Sequence, residues 1–328
     1  QLYGGKGELN LETLLQSGAE VVIDVGEQKD GMADDLNALQ EQTGIPFVHI
    51  DCYTGSMGDT YRTLGTLLGK ETEMYEQLYM GTIDMALETI AFQSTTHPEL
   101  TIEDLPYMFA TREDGYKALD GGYGDKINEI IASDGQIRNL GFMELGYRHM
   151  TNNVRPINTP DDMKGIKFRT TTSDLRLAVF EALGAQPVSM SFSEVFTGLQ
   201  QNVINGQENP PTLIYASGFQ EVQKYLTLDN HVHNFLAVLT NENWLNSLSA
   251  DDQQLVKDCV AEMVTTQRSM ELEDNDAVVA KLQDAGMEVN ELTDEQYQAF
   301  VDAVQPMYDE YKQQWGTEIF DLATSYNK

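Results

Sequence analysis

The sequence predicts an α/β protein with two lobes and a long helix that bridges them. Its 328 residues are too many for one ordinary hydrophobic core and suit two lobes of about 100 to 200 residues each. Strand and helix patterns alternate along the chain, which favours an α/β fold. From Ser249 a helical pattern continues without Gly or Pro until Gly286, which is long for a globular helix and suited to a connecting rod.

The first elements predict a βαβ unit with parallel strands. Strand patterns at 20–25 and 45–50 flank a helical pattern at 32–42. A further helix at 74–80 precedes a strand at 82–87, after which the polar residues Glu88 and Thr89 follow. Ligands of α/β sheets lie beyond the carboxyl ends of parallel strands, so this polar pair marks a candidate binding position.

Capping residues define the middle of the chain. Thr159 and Pro160 open a short helix that stops at Gly165, and a strand pattern follows at 166–169. Ser173 caps a predicted helix at 174–183, and Ser191 with Glu194 forms the capping box of another that runs to about residue 203. Helical patterns also fill the last segment, 294–326, which we expect to dock on the rest of the protein.

The charge balance excludes several classes of partner. There are 53 Asp and Glu against 20 Lys and Arg, for a net charge of −33. This charge repels nucleic-acid phosphates and anionic membrane surfaces. Cys52 and Cys259 show no metal or redox spacing, and Cys259 is expected to be a buried thiol on an apolar helix face. The opening residues lack a signal-peptide pattern, which is also what cleavage of a signal would leave.

The sequence contains none of the common hydrolase, metalloprotease, dinucleotide or nucleotide-phosphate motifs, so we expect a protein that is not an enzyme and needs no cofactor. His231 and His233 alternate on one strand and could share a metal, but we expect no carboxylate near the pair, which favours a structural role. We therefore predict no metal site.

Arginines are the most informative charged residues because they are scarce. Arg148 and Arg169 lie in strand patterns beside turns, while Arg155 and Arg176 are close by in sequence. A guanidinium group at a strand end can bind a carboxylate through two parallel hydrogen bonds. The alternative is that each arginine pairs with one of the many acidic side chains.

Several motifs resemble the extracytoplasmic solute-binding subunit of tripartite ATP-independent periplasmic (TRAP) transporters, the DctP-like family. The similarity covers about residues 73–328 and is carried by the segments 81–86, 104–109, 151–153, 162–169, 192–195 and 205–210. It implies a two-lobed periplasmic-binding-protein-like fold. The first lobe would comprise 1–146 and 235–274, and the second, with the carboxylate-binding arginine, 147–234 and 275–328.

The resemblance also implies the ligand-binding residues. Arg169 corresponds to the arginine that forms the salt bridge to the substrate carboxylate, and Arg148 to a second, earlier arginine. Asn209 and Phe192 correspond to a polar contact and an apolar wall. We add Asn234, at the lobe crossing, and Thr89, in the first lobe, as further candidates.

Residues 1–72 instead resemble the N-terminal lobe of ABC-transporter binding proteins for siderophores, haem and cobalamin. On this interpretation the chain is a hybrid. Either the unit replaces the first strands of the family within one sheet, or it was joined to the rest artificially.

The predicted function is capture of a small organic acid and its delivery to the membrane subunits of a TRAP transporter. A sugar acid such as a hexuronate is favoured over a dicarboxylate or a sialic acid. The alternatives are an ABC-type metal-chelate or siderophore-binding protein and a small-molecule enzyme on a binding-protein scaffold. The protein is expected to be a monomer, located in the periplasm or on the surface of a Gram-positive cell as a lipoprotein.

Overall fold

The structure is a computed structural model that describes residues 22–26, 47–51, 71–94, 96–171 and 173–327. The chain divides into two compact units, Gln1–Leu64 and Gly65–Lys328. In the first unit, strands β1 (Val22–Gly26) and β2 (Phe47–Asp51) pair in parallel, as the βαβ pattern predicts. The helix predicted at 32–42 and Cys52 lie outside the described residues.

The second unit contains the remaining strands and the described helices. The strands are β3 (Met85–Thr89), β4 (Ile137–Asn152), β5 (Lys167–Thr170), β6 (Gln186–Ser189), β7 (Gly206–Asn209), β8 (Tyr225–Asn241) and β9 (Glu288–Glu291). The α-helices are α1 (Glu71–Tyr79), α2 (Arg112–Leu119), α3 (Gly122–Ile131), α4 (Asp174–Ala182), α5 (Phe192–Gln200), α6 (Pro211–Ala216), α7 (Glu242–Ser247), α8 (Ala250–Asp284), α9 (Asp294–Trp315) and α10 (Thr317–Thr324). Short 3₁₀ helices occupy Ile90–Gln93, Pro98–Asp104, Pro160–Met163 and Phe219–Glu221.

One mixed sheet organises this unit. Its strand order is β3-β8-β4-β7-β5-β6, and β9 pairs with β8. The strands β5, β6 and β7 run parallel to each other, whereas β4 and β8 are antiparallel to their neighbours on this path. The carboxyl ends of β5 and β7 therefore lie at one edge of the sheet, where α/β proteins place ligands.

The two longest strands, β4 and β8, share an extended antiparallel pairing. Its register shifts between Glu144 and Gly146, and Gly146 pairs with Asn234. Gly146 has φ +111°, and a Cβ atom there would lie 2.9 Å from Glu271 Oε1 and 3.2 Å from Pro210 Cβ. A side chain at this position would therefore be unfavourable for two reasons, the positive φ angle and the close approach of its Cβ atom to neighbouring atoms. Because Gly146 pairs with Asn234, the two predicted lobe boundaries, after residue 146 and after residue 234, would lie on neighbouring strands. The division into lobes remains a prediction.

The helix α8 has 35 residues and confirms the long helix predicted from Ser249. Its first half packs Val260 against Met143 and Leu236 of the long strands. Its second half places Val278 and Leu282 in a different apolar cluster, which contains Val195 of α5 and other residues of the later elements. Because it contributes to both clusters, α8 connects distant parts of the second unit.

Three expectations need correction. Cys259 is exposed, because α8 buries the face that carries Val260 and leaves Leu255 and Cys259 towards solvent. Ser191 does not cap α5 through a backbone N–H. Its hydroxyl instead donates to the Glu194 carboxylate. The terminal helical segment is two helices, which are separated at Gly316 with φ +83°.

Among the helices of the described residues, none combines the length and the apolar composition that a membrane span requires.

Candidate functional site

Arg169 lies near the end of β5, where the capping signals predicted a strand beside a turn. Its side chain is 3% exposed, and Nε donates to the carbonyl oxygen of Met190 at 2.9 Å. The guanidinium carbon lies 5.7 Å from the ring centre of Phe192, at the start of α5. The structure therefore brings together Arg169 and Phe192, two residues that the sequence predicts for ligand binding.

Arg148, on β4, forms a second group with Glu208, Asn209 and Asn234. Its Nη2 donates to Glu208 Oε1 and to Asn209 Oδ1, both at 2.9 Å, and Nε donates to the other carboxylate oxygen of Glu208. Its Nη1 lies 3.4 Å from Asn234 Oδ1. The predicted residues Arg148, Asn209 and Asn234 thus share one hydrogen-bonded cluster.

Arg176 belongs to the same cluster, although the sequence assigned it no role. It lies in the first turn of α4, and its guanidinium donates to Glu208 Oε1 at 3.1 Å, Asp104 Oδ1 at 2.5 Å and Asn234 Oδ1 at 2.8 Å. The spacing after the β5 strand was the available signal, because an arginine in the first turn of the next helix can point back towards the sheet edge. Its acidic partners lie 32 and 72 residues away in sequence, which no local pattern reveals.

Glu208 is the shared acceptor of this cluster and is 1% exposed. Burial alone would raise its pKa, but the positive charges of Arg148 and Arg176 hold the pKa of Glu208 well below its usual range. Burial would also lower the pKa of His231, yet Asp229 and Glu208 raise that pKa to about 9. His231 Nε2 lies 3.2 Å from Glu208 Oε2, and its Nδ1 lies 2.8 Å from Asp229 Oδ2. The histidine is therefore part of a buried charge network.

His233 belongs to a different buried group. Its Nε2 lies 2.8 Å from Glu144 Oε1, and Glu144 also accepts from Arg112 at 2.8 Å and from the Tyr116 hydroxyl. The two histidines therefore have separate acidic partners. The expectation that no carboxylate lies near them is wrong, because Asp229 lies two residues before His231 and Glu144 contacts His233. Among the described residues there is no cluster of His, Cys, Asp and Glu that could hold a metal ion.

The strand predicted at 82–87 is β3 at Met85–Thr89, so Glu88 and Thr89 belong to the strand and do not follow it. Thr89 is the last residue of β3 and pairs with Leu236 of the antiparallel strand β8. Leu236 is two residues beyond Asn234 along β8, which places Thr89 on the neighbouring strand to that asparagine. The structure shows no direct contact between Thr89 and the arginines of the site. Thr89 therefore remains a predicted ligand residue.

The strands β5 and β7 hold the Arg169 group and the Arg148 group side by side. They pair through Phe168 and Gly206. Gly206 permits this approach, because a Cβ atom there would lie 2.6 Å from the carbonyl oxygen of Thr151 and 2.8 Å from the Phe168 ring. Phe168 in turn stacks on Phe180 of α4, with ring centres 4.6 Å apart. This stacking holds β5, which carries Arg169, against α4, which carries Arg176.

This arrangement suits recognition of an oxyanion. It brings three buried guanidinium groups, those of Arg148, Arg169 and Arg176, together with amide side chains and an aromatic ring at one edge of a sheet. Buried N–H donors in fixed positions bind carboxylate oxygens strongly because little solvent competes with them.

Comparison with known proteins identifies the class and then the family. The fold is that of two-lobed periplasmic binding proteins, since it matches a TRAP periplasmic solute binding protein from Sulfitobacter sp. NAS-14.1 with bound β-D-galacturonate. That match has a TM-score of 0.74 and 26% identity, and covers 92% of this chain and 99% of the other. The family model DctP, bacterial extracellular solute-binding protein, family 7, matches residues 65–314. The chain belongs to this family.

Two relatives support the assignment. The chain is 34% identical over 237 residues to the 2,3-diketo-L-gulonate-binding periplasmic protein YiaO of Escherichia coli, covering 72% of this chain and 71% of the relative. It is 32% identical over 314 residues to the C4-dicarboxylate-binding periplasmic protein DctP of Rhodobacter capsulatus, covering 90% of this chain and 94% of the relative. The predicted α/β fold class and family are thereby confirmed.

The hybrid interpretation of residues 1–72 is not supported by these comparisons. The alignment with the Rhodobacter relative spans 314 residues, which is longer than the segment 65–328, so the similarity continues into the first unit. A βαβ unit occurs in many α/β folds, and its pattern alone does not distinguish ABC-transporter from TRAP binding proteins. The first unit therefore gives no reason to separate it from the family.

Proposed function

We propose that this protein is the extracytoplasmic solute-binding protein of a TRAP transporter and captures a small organic acid through an Arg169-carboxylate salt bridge. The observation that supports this most directly is the buried guanidinium of Arg169 beside Phe192 at the end of β5. Arg148 and Asn209 would add hydrogen bonds to the acid or to adjacent hydroxyls, with Asn234 and Thr89 as further contacts. The protein performs no chemistry on its ligand, as is expected of a transport binding protein.

The favoured ligand is a sugar acid. The Escherichia coli relative is named for 2,3-diketo-L-gulonate and the Sulfitobacter protein holds galacturonate, whereas the Rhodobacter relative is named for C4-dicarboxylates. A sugar acid combines one carboxylate with several hydroxyl or carbonyl oxygens. Amide side chains such as those of Asn209 and Asn234 can bind those oxygens as well as the acid group. A dicarboxylate or a sialic acid is the second choice.

The expected partners are the membrane subunits of the transporter, to which a monomeric binding protein would deliver its ligand outside the cytoplasm. The net charge of −33 supports the absence of nucleic-acid partners. The two lobes would comprise residues 1–146 with 235–274 and residues 147–234 with 275–328, and would close around the acid.

Isothermal titration calorimetry against a matched panel tests the proposal. The panel contains D-galacturonate, D-galactonate, 2,3-diketo-L-gulonate, succinate, malate, N-acetylneuraminate and a ferric siderophore, and each mixture is analysed for conversion of the ligand. We expect binding of at least one sugar acid, with weaker binding of the C4 acids and no product. Binding of the siderophore alone would favour the ABC-type alternative, and conversion of an acid would favour an enzyme.

A further inference from the structure

Asn209 is the end of a chain of buried side chains that runs from β7 through β4 to the segment just before β8. Its Nδ2 donates to Gln207 Oε1 at 2.6 Å, and Gln207 Nε2 donates to Thr151 Oγ1 at 2.8 Å. The Thr151 hydroxyl donates to Gln223 Oε1 at 2.9 Å. We call Asn209, Gln207, Thr151 and Gln223 the amide relay. None of these four side chains is more than 4% exposed.

The strand pairing places three members of the relay, Asn209, Gln207 and Thr151, on one face of the sheet. Thr151 of β4 pairs with Gln207 of β7, and His149 pairs with Asn209 two residues further along. Side chains two residues apart on a strand point to the same face, so Gln207 and Asn209 lie next to each other on the face that carries Thr151. The relay is thus built by the register of β4 and β7.

Both ends of the relay determine which way its hydrogen bonds run. At one end, Gln223 Nε2 donates to the backbone carbonyl oxygens of Val222, at 3.1 Å, and Asn205, at 3.4 Å, which can only accept. At the other end, Arg148 Nη2 donates to Asn209 Oδ1 at 2.9 Å, and a guanidinium group can only donate. Reversal of either amide would place two donors or two acceptors against each other. The buried relay therefore has one stable direction.

The direction of the relay decides what Asn209 offers to a ligand. Its oxygen is occupied by Arg148, and one of its two N–H protons is donated to Gln207. The remaining N–H of Asn209 is a donor, and the Arg148 guanidinium that contacts the Asn209 oxygen also consists of donors. A ligand atom that meets both groups must accept hydrogen bonds, as a carboxylate, carbonyl or hydroxyl oxygen does.

We propose that Gln207, Thr151 and Gln223 are positioning residues that hold the Asn209 amide with an N–H towards the ligand, so that this position selects an oxygen acceptor. The identity of the ligand as an acid rests on the function proposed above, whereas the relay is a property of the protein alone. Nothing in the sequence pattern distinguishes Gln207 or Thr151 from other polar strand residues, and only the pairing of distant strands brings them to Asn209.

The first test measures D-galacturonate affinity by calorimetry in Thr151→Val, which keeps the shape of Thr151 and removes its hydroxyl. We expect a dissociation constant about tenfold higher, because the relay loses a donor and an acceptor and Asn209 is no longer held in one orientation. Thr151→Ser retains the hydroxyl and should stay within about threefold of wild type. The matched control is Thr240→Val, since Thr240 is equally buried on β8 and donates to the Asp84 carbonyl outside the relay.

A double-mutant cycle separates positioning from a general structural role. Asn209→Ala should weaken binding by itself, and adding Thr151→Val to Asn209→Ala should then change the affinity by less than about twofold, since the two residues act through one path. Independent, multiplying effects of the two substitutions would overturn the proposal. Gln223→Met, at the opposite end of the relay, provides a second variant if Thr151→Val does not fold.

The second test needs no ligand. In an ¹⁵N spectrum of the unliganded protein, the side-chain NH₂ signals of Asn209 are those absent from Asn209→Asp. We expect the chemical shifts of these signals to change in Thr151→Val, or in Gln223→Met, and to remain those of wild type in Thr240→Val. Unchanged signals in the relay variants would overturn the proposal. If wild type fails to bind D-galacturonate, that result contradicts this choice of ligand, and the spectra still decide on the relay.

Discussion

Arg148 and Glu208 form a buried pair in which the guanidinium Nη2 donates to the carboxylate at 2.9 Å and to the backbone carbonyl oxygen of the same glutamate at 2.7 Å. Glu208 therefore holds Arg148 through both its side chain and its main chain. Arg176 also donates to the same carboxylate oxygen of Glu208, at 3.1 Å. The charge of Arg148 is thus balanced within the protein, and its geometry is set before any ligand arrives.

Replacement of Arg169 should abolish acid binding and leave the fold intact. Removing one partner of a desolvated charge pair typically costs about 2 to 5 kcal/mol of binding free energy. Arg169→Ala should therefore lower the affinity for the tightest-binding acid of the panel by more than about thirtyfold. Arg169→Lys should also fail, because an ammonium group cannot reproduce the planar fork of the guanidinium. Calorimetry gives the affinities and circular dichroism the fold. An affinity within about threefold of wild type would contradict the assignment.

Replacement of Glu208 should destabilise the protein itself. Glu208→Gln leaves Arg148 and Arg176 buried with a neutral amide in place of their shared carboxylate. Loss of one partner in a buried ion pair costs about 3 to 5 kcal/mol of unfolding free energy. Urea unfolding measures this change. The control is Asp161→Asn, whose pair with Lys164 is exposed and should contribute nothing measurable. Equal stabilities of the two variants would show that the Glu208 network is not a stabilising unit.

The stability of the protein should fall between neutral and alkaline pH because of His231. Its pKa is raised to about 9 by Asp229 and Glu208 despite burial, compared with about 6.5 in the unfolded chain. The folded state therefore holds the proton more tightly. This contribution is fully present below about pH 6.5 and is lost as the pH rises through about 9, with a size on the order of 3 kcal/mol.

Urea unfolding of wild type and His231→Gln at pH 6.5 and 9.5 isolates the contribution of this histidine. We expect the difference between the two proteins to shrink at the higher pH. Burial lowers the pKa values of His149 and His233, so their effects lie on the acid side and not in this range. The same difference at both pH values would mean that His231 is neutral in the folded protein.

A side chain at Gly146 should be tolerated poorly. Gly146→Ala combines a backbone with φ +111° and a Cβ atom that would contact Pro210 and Glu271, so we expect a loss of about 1 to 3 kcal/mol in unfolding free energy. Gly135→Ala is the matched control, because Gly135 has φ +74° and no atom within 4 Å of the added Cβ. Thermal and urea unfolding should show a larger loss for Gly146→Ala. Equal losses of unfolding free energy would mean that the close contacts at Gly146 cost nothing and that only the positive φ angle matters at both sites.

Much of the local structure was predictable because its causes are close together in sequence. Thr159 and Asp162 form the capping box of the 3₁₀ helix Pro160–Met163, and Ser249 accepts from the Asp252 N–H at the start of α8. Each interaction spans three residues. The family motifs are equally local. They identified the family without any knowledge of the contacts between elements, and they predict that the arginine of β5 binds the ligand.

What the sequence by itself determined is therefore the α/β class, the element boundaries set by caps, the long helix and the family. Only the tertiary structure decided which acidic residues balance Arg148 and Arg176, that Arg176 joins the site, and that Gln207 and Thr151 orient Asn209. It also decided that α8 buries Val260 and exposes Cys259, since the buried face of a helix depends on what packs against it. In a chain with 53 acidic residues, many pairings are chemically equivalent, and the strand register selects among them because it fixes which distant side chains meet away from water.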